Sequence, residues 1–426
     1  MWCLFRLAGH NKENDNLKIL HTADWHLGKK VEGKSMLPNQ RAALADIEEI
    51  AAVEKPDLIL VAGDVFDTAV PPAEAEKLFF DTCERLSSSG CPVVVLAGNH
   101  DDEVRLCAAR SLAVRHNIYL VGDMDNSFYS DYGAENGRGW IRIPTPAGKA
   151  CVAALPYPLE SFSIDLSDGD AEPENSESAE NADEKQTVEQ SDDTDDIFDK
   201  KYTDRVESLI AECEKGFLPG EANIFAAHIF MLPGSEEKTL GGAKILPSAI
   251  LPENADYVAL GHVHKNMRAA KDEEAWYSGS ITPCNFGETE EKKVNLVEIE
   301  KDKNSGGSTV TVWQIPLKSV KKLIRIEVKS YDEAYEKLAE CGDYAEILYD
   351  CPEPVTPAKM NALRTLPAFV KFTPCFTAEG EEGEQKKKLM TDEQLFEAFF
   401  MRKKGKSPDE RDRELFRRAV NKEELL

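Results

Sequence analysis

The chain has 426 residues and a formal net charge of −27, from 51 Lys+Arg against 78 Asp+Glu. That length suits two or three domains, and no run approaches the ~18 apolar residues of a bilayer span. A pI near 4.8 argues against a nucleic-acid binder, because neutralising phosphates takes local Lys and Arg.

Residues 1–16 carry no long apolar segment and read as no signal peptide. The ten Cys form no C-x-x-C pair, which disfavours a zinc ribbon and fits reduced thiols in a cytoplasmic protein.

In chain order, strands are expected at Leu17–Leu20, Leu58–Ala62, Val93–Ala97, Ile118–Val121, Val152–Leu155, Ile224–Ala227, Tyr257–Leu260, Val294–Ile299 and Val310–Ile315. Helices are expected at Gln40–Val53 and Ala73–Ser87. Strand–helix alternation followed by strands predicts an α/β sandwich with mixed sheets. Asp165–Asp199 holds 15 acids and one Lys, a net −14. With few large apolar residues, it reads as a disordered acidic insertion over about 161–200. The remainder carries −13, so the bulk charge says little about the rest of the surface. Lys301–Ser308 reads as a hairpin turn. From Leu323 a β-α-β-α-β texture predicts a small α+β domain over 321–376. Thr377–Lys388 reads as a linker. Beyond it, two amphipathic helices, Asp392–Arg402 and Pro408–Val420, carry Leu395, Phe396, Phe399, Phe400, Leu415 and Phe416, a face that either packs back on its own domain or, the favoured reading, fits a partner groove.

Ligand-type residues gather just after the strands: His21, Asp24 and His26; Asp64 and Asp67; Asn99, His100 and Asp101; His228; His262 and His264. Six of the eight His lie at such edges, with His10 and His116 apart. One His there is more often a packed loop residue, but five coincident strand ends predict a shared metal site. Imidazole, carboxylate and amide donors without a thiolate favour Mn, Fe or Zn, and two ions over one.

The motifs D-W-H (Asp24–His26), G-D-V-F-D (Gly63–Asp67), G-N-H-D (Gly98–Asp101), the lone His228 and G-H-V-H (Gly261–His264) resemble the calcineurin-like metallophosphoesterases. HTADWHLGKK, GDVFDTAVPP, LAGNHD, LGHVH and YSGSITPCNFGE are similar to its SbcD branch, strongly over 17–300. The resemblance implies a four-layer αββα sandwich over 17–320, a capping domain and a C-terminal helical pair over 389–426. It implies that Asp24, His26, Asp64 and His264 hold one metal and Asp64, Asn99, His228 and His262 a second, bridged by Asp64. Mn2+ is favoured, with Mg2+ as substitute. The resemblance implies that His100 acts on the phosphate or leaving oxygen, with a structural role beside the ligands as the alternative; Asp67 and Asp101 read as orienting the ligands, and His21 as supporting them or packing under the site. The implied activity is a two-metal hydroxide mechanism on DNA ends and hairpins, in repair, recombination and replication. The implied partners are DNA and an SbcC-like coiled-coil ATPase, with a homodimer inside a heterotetramer and no membrane. Rival readings are a small-substrate phosphodiesterase and a DNA-binding scaffold with an inactive site. At two places the chain departs from the pattern: Asp102 follows GNHD, and Cys284 lies inside the last string.

Gly28–Ser35 (GKKVEGKS) matches the phosphate-loop pattern G-x-x-x-x-G-K-[ST]. A phosphate loop needs a strand directly before it and a helix at the Lys. Here the metal motif intervenes and Pro38 follows, so no bound nucleotide is expected. Lys29, Lys30 and Lys34 read instead as a basic loop for DNA phosphates, with a plain solvated loop as the alternative.

Overall fold

The computed structural model describes residues 16–158, 192–231, 239–240, 243–270, 274–302, 307–351 and 353–375, with Pro408 and Arg413 beyond. The first part runs β1 (Leu17–Thr22), β2 (Lys30–Val31), β3 (Lys34–Ser35), α1 (Leu37–Glu54), β4 (Leu58–Ala62), α2 (Ala73–Ser87), β5 (Val93–Leu96), α3 (Glu103–Leu106), α4 (Arg110–Ala113) and β6 (Ile118–Val121). Then come β7 (Glu135–Gly137), β8 (Trp140–Thr145), β9 (Gly148–Leu155), α5 (Asp192–Glu214), β10 (Ala222–His228), β11 (Thr239–Leu240), β12 (Ala243–Lys244), β13 (Tyr257–Gly261), β14 (Met267–Arg268) and β15 (Ala275–Tyr277). The last part is β16 (Lys293–Lys301), β17 (Ser308–Pro316), β18 (Leu323–Val328), α6 (Tyr331–Glu340), β19 (Tyr344–Tyr349), α7 (Pro357–Arg364) and β20 (Phe369–Pro374).

Among the described residues, one sheet has the order β17-β16-β1-β4-β5-β6 and another β14-β15-β13-β10-β9-β8-β7. Strands β1, β4, β5 and β6 are parallel, as are β9, β10, β13 and β15. Antiparallel strands border both groups. The parallel strands are continuous apolar runs because both of their faces are covered. Ile19, Leu58, Leu60 and Val94 meet Ile143, Val152, Ile224 and Ala259 between the sheets. Their neighbours Leu20, Ile59, Val61 and Val93 face outward onto Ala43, Leu44 and Ile47 of α1 and Leu78 and Phe79 of α2. On the far side, Ala153, Phe225 and Val258 pack on Tyr202, Val206, Ile210 and Cys213 of α5. The result is the four-layer αββα sandwich, and it brings the carboxyl ends of both parallel groups to one edge.

The acidic insertion needs a corrected boundary. Residues 159–191 lie outside the described set, but 192–199 open α5. Acidic composition hid the start of a helix that is anchored further on by the buried Tyr202, Val206 and Ile210. Strand β8 was also hidden, because Arg142 and Pro144 interrupt its apolar pattern. Arg142 is buried, and its guanidinium is satisfied by Glu221, Glu135 and the Gly216 carbonyl.

The GKKVEGKS segment folds as the β2–β3 hairpin, without the strand–loop–helix context of a phosphate loop. Strands β18, β19 and β20 form a parallel three-stranded sheet whose own core includes Val328, Leu338, Ile347 and Leu363. This layer joins the hairpin through an apolar seam of Val31, Met36, Phe286, Leu323, Tyr344 and Val370. Lys34 Nζ donates to the Pro367 and Phe369 carbonyls at 2.7 and 2.9 Å. By contact, residues 1–375 form one compact unit and 376–426 another. Leu395, Phe396, Phe399, Phe400, Leu415 and Phe416 lie outside the described residues. No described helix is long and apolar enough to cross a membrane, and none of the nine described cysteines is bridged.

Ile210→Ala should cost about 2–5 kcal/mol by opening a cavity under the second sheet, read as a lowered denaturation midpoint. An unchanged midpoint would contradict the packing of α5.

Candidate metal centre

Each sheet-edge side chain is held by backbone as well as by neighbours. Asp24 N–H donates to the Gly63 carbonyl at 3.0 Å, and His26 N–H to the Asp64 carbonyl at 3.0 Å. His262 N–H donates to Asp24 Oδ1 at 2.9 Å, and His100 N–H to Asp64 Oδ1 at 3.0 Å. Asp101 stitches two loops, accepting from Gly98 and Val65 on one oxygen and Phe66 on the other, at 2.8 to 3.0 Å. The approach is close: a Cβ on Gly98 would fall on the Asp64 carboxylate, and one on Gly261 on the Ala62 carbonyl oxygen. Asp24, His26, Asp64 and His262 have φ of 51°, 45°, 49° and 99°. Such left-handed backbone costs on the order of 1–3 kcal/mol per residue and persists only where the surroundings over-determine it.

Two donor sets meet at Asp64. On the Oδ2 side, His26 Nε2 lies 3.5 Å away and 3.0 Å from His264 Nε2, with Asp24, His26 and Asp64 grouped tightly enough to share an ion. On the Oδ1 side, His228 Nε2 is 3.4 Å away. Asn99 Oδ1 is 3.0 Å from His228 Nε2 and 2.9 Å from His262 Nδ1.

Tautomers show what these sets require. His228 Nδ1–H donates to the Ala62 carbonyl at 2.9 Å, so in neutral imidazole Nε2 presents a lone pair to the Asn99 oxygen. His264 Nδ1 meets Glu288 Oε1 at 2.9 Å, so its Nε2 lone pair faces His26. At 3.0 Å the two Nε2 atoms either share one N–H or turn both lone pairs to a single ion. Burial opposes charge on His228, but Asp64 outweighs it and pushes its pKa up to about 9. Burial likewise opposes His264, but Cys284 and Glu288 raise it to about 11. Burial also works against charge on Asp64, yet His228 and His26 hold that carboxyl well below the usual range. Burial dominates elsewhere, lowering His26 and taking His262 down to about 3, and raising Asp24 to about 6. The donors beside Asp64 therefore fit divalent-cation binding.

A family model described as calcineurin-like phosphoesterase matches residues 17–266. The chain belongs to the calcineurin-like phosphoesterase family. Its relatives include proteins named as the D subunit of the SbcCD nuclease. That of Bacillus subtilis is 30% identical over 94% of this chain and 97% of its own. That of Escherichia coli K12 is 30% identical over 67% of this chain and 66% of its own. That of Staphylococcus saprophyticus is 26% identical over 76% and 74%. Members of this phosphoesterase family use divalent metal ions.

The supporting residues have specific tasks in this calcineurin-like centre. His100 Nδ1–H donates to the Asp67 carbonyl at 2.9 Å, and its ring stands edge-on to His26 at 4.9 Å. Asp67 thus orients His100 through its main chain, while its carboxylate takes Lys29 Nζ at 2.8 Å. His21 is buried, bonded to the Tyr257 hydroxyl at 2.9 Å across the sheets, and burial takes its pKa down to about 3. In the basic loop, Lys29 pairs with Asp67, Lys34 meets the β18–β20 layer and Lys30 is exposed. Sequence reasoning missed Tyr157, stacked on His262 at 5.9 Å, and the Glu288–Lys292 pair behind His264. The string containing Glu288 was visible, but its polar residues gave no sign of burial.

At pH 7, divalent-ion binding should release protons from His228 and His264, so apparent affinity rises with pH through about 9 and on toward about 11. Calorimetry in buffers of different ionisation enthalpy measures this, and binding without proton release would contradict the raised pKa values of His228 and His264.

Proposed function

We propose that this chain is a two-metal phosphodiesterase, the nuclease component of an SbcCD-type complex. The observation that carries the reading is Asp64, whose two oxygens face two separate donor sets. Asp24, His26, Asp64 and His264 would hold one ion, and Asp64, Asn99, His228 and His262 the other. When bound, such a pair polarises phosphoryl oxygens and acidifies a water enough for in-line attack near neutral pH. The mixed imidazole, carboxylate and amide set suits Mn2+, with Mg2+ as substitute.

The chain's own residues supply the rest. Asp101 fixes the loops that present Asp64 and Asn99. His100, oriented through Nδ1, keeps Nε2 for a phosphate oxygen or the leaving oxygen. Tyr157 and Phe230 flank His262 and restrict its ring.

DNA as substrate is supported by likeness to the SbcCD nuclease relatives over nearly the whole chain. Duplex ends and hairpins are the proposed substrates. Exposed Lys30 and Lys265 beside the centre supply local positive charge despite the acidic total. We assign 17–320 to the nuclease domain, 321–376 to a cap over the site, and 389–426 to docking on an SbcC-like ATPase. The working assembly would be a cytoplasmic heterotetramer with two copies of this chain.

His100→Ala should retain both ions but lower cleavage of linear and hairpin DNA about 10²–10⁴-fold. Loss of metal in that variant would remove His100 from its role. Wild-type chain with Mn2+, with and without the ATPase and ATP, should cut linear and hairpin DNA and spare closed circles. Inactivity on all three would overturn the nuclease reading. Deleting Thr391–Leu426 should abolish copurification with the ATPase, and unchanged association would refute the docking assignment.

A further inference from the structure

The donor sets leave one motif without a task, the strap from Tyr277 to Lys292 (YSGSITPCNFGETEEK). It runs behind His264 and buries a charged pair. The side chains of Lys292 and Glu288 are only 4% and 13% exposed, and they meet at 2.6 Å. Lys292 Nζ also donates to Ser280 Oγ at 2.7 Å and to the His264 carbonyl at 3.3 Å. Glu288 Oε2 takes the Cys284 N–H at 3.2 Å as well. Its Oε1 receives Asn285 Nδ2 at 3.0 Å and His264 Nδ1–H at 2.9 Å.

These donors occupy the roughly four lone-pair sites of a carboxylate. Glu288 therefore has no capacity left to bind an ion itself. Its bond to Nδ1 fixes the His264 tautomer and turns the Nε2 lone pair toward His26 Nε2, 3.0 Å away. The corresponding bond on the other side is different in kind. There His228 Nδ1–H meets a neutral partner, the Ala62 carbonyl. An anionic partner raises the basicity of a ligating imidazole more than a neutral one does. The two cation positions are thus built unequally.

We propose that Glu288, clamped by Lys292, is the positioning residue for His264 and sets cation occupancy at that position alone. Lys292 keeps the carboxylate charged and immobile, so that the ring neither rotates nor changes tautomer as an ion arrives. The assignment rests on the two-cation reading of the centre.

The test is Mn2+ titration of the full-length wild-type chain and of Glu288→Gln by calorimetry. Paramagnetic resonance follows the magnetic coupling of neighbouring Mn2+ ions. The wild type should bind two ions. In E288Q one of them should weaken about 10–100-fold, with loss of the coupled signal at limiting Mn2+, while the other keeps its affinity. Glu288→Asp, which keeps the charge but shortens the reach, should recover part of the loss, and it replaces E288Q if that variant does not fold. Two unaltered affinities, or equal weakening of both, would overturn the positioning role. A wild-type chain that takes up no Mn2+ would instead overturn the two-cation reading beneath it.

Discussion

A buried carboxylate must be matched by positive charge, and Asp64 is the point at which this fold meets that demand. Its side chain is about 3% exposed, with imidazoles on both sides and a backbone N–H from His100. Unpaired, a charge at that depth costs several kcal/mol. The parallel groups of the two sheets must therefore end close together, because neither sheet alone supplies both flanks. The Ala62–His228 bond ties the end of β4 to the end of β10 and fixes that distance.

The surrounding backbone is arranged around this requirement. Gly98 and Gly261 permit approaches that any side chain would block. Asp101 gives both of its oxygens to backbone amides of two loops, and so holds Asp64 and Asn99 without joining them. The outer apolar layers, packed on α1, α2 and α5, keep the sheets rigid enough for these loops to remain strained. Stability in the layers thus offsets the conformational cost at the edge.

The sequence was readable wherever a residue's task follows from its own type and its place at a strand end. The apolar runs give the parallel strands, and the polar residues beyond them give the edge where His26, Asp64, Asn99, His228 and His262 gather. Residues whose task depends on distant partners were not readable. Lys34 looked free for phosphate until the carbonyls of Pro367 and Phe369, more than 330 positions away, claimed it. The burial of Glu288 and Lys292 was not readable because nothing local marks it. The start of α5 was masked by acids that match the composition of the preceding segment. Arg142 broke the pattern of β8 because its compensation comes from Glu221 and Glu135 in other elements.

The left-handed backbone at Asp24, His26, Asp64 and His262 also limits the evolutionary alphabet at the centre. Of the residues with metal-binding lone pairs, Asp, Asn and His tolerate that conformation best, while β-branched and bulky side chains do not. Glycine relieves the strain but donates nothing. A lineage relaxing its need for the chemistry could therefore drift to glycine at these four positions and gain backbone ease as it did so. Asp and His at all four positions therefore place donor atoms where the backbone alone would favour glycine.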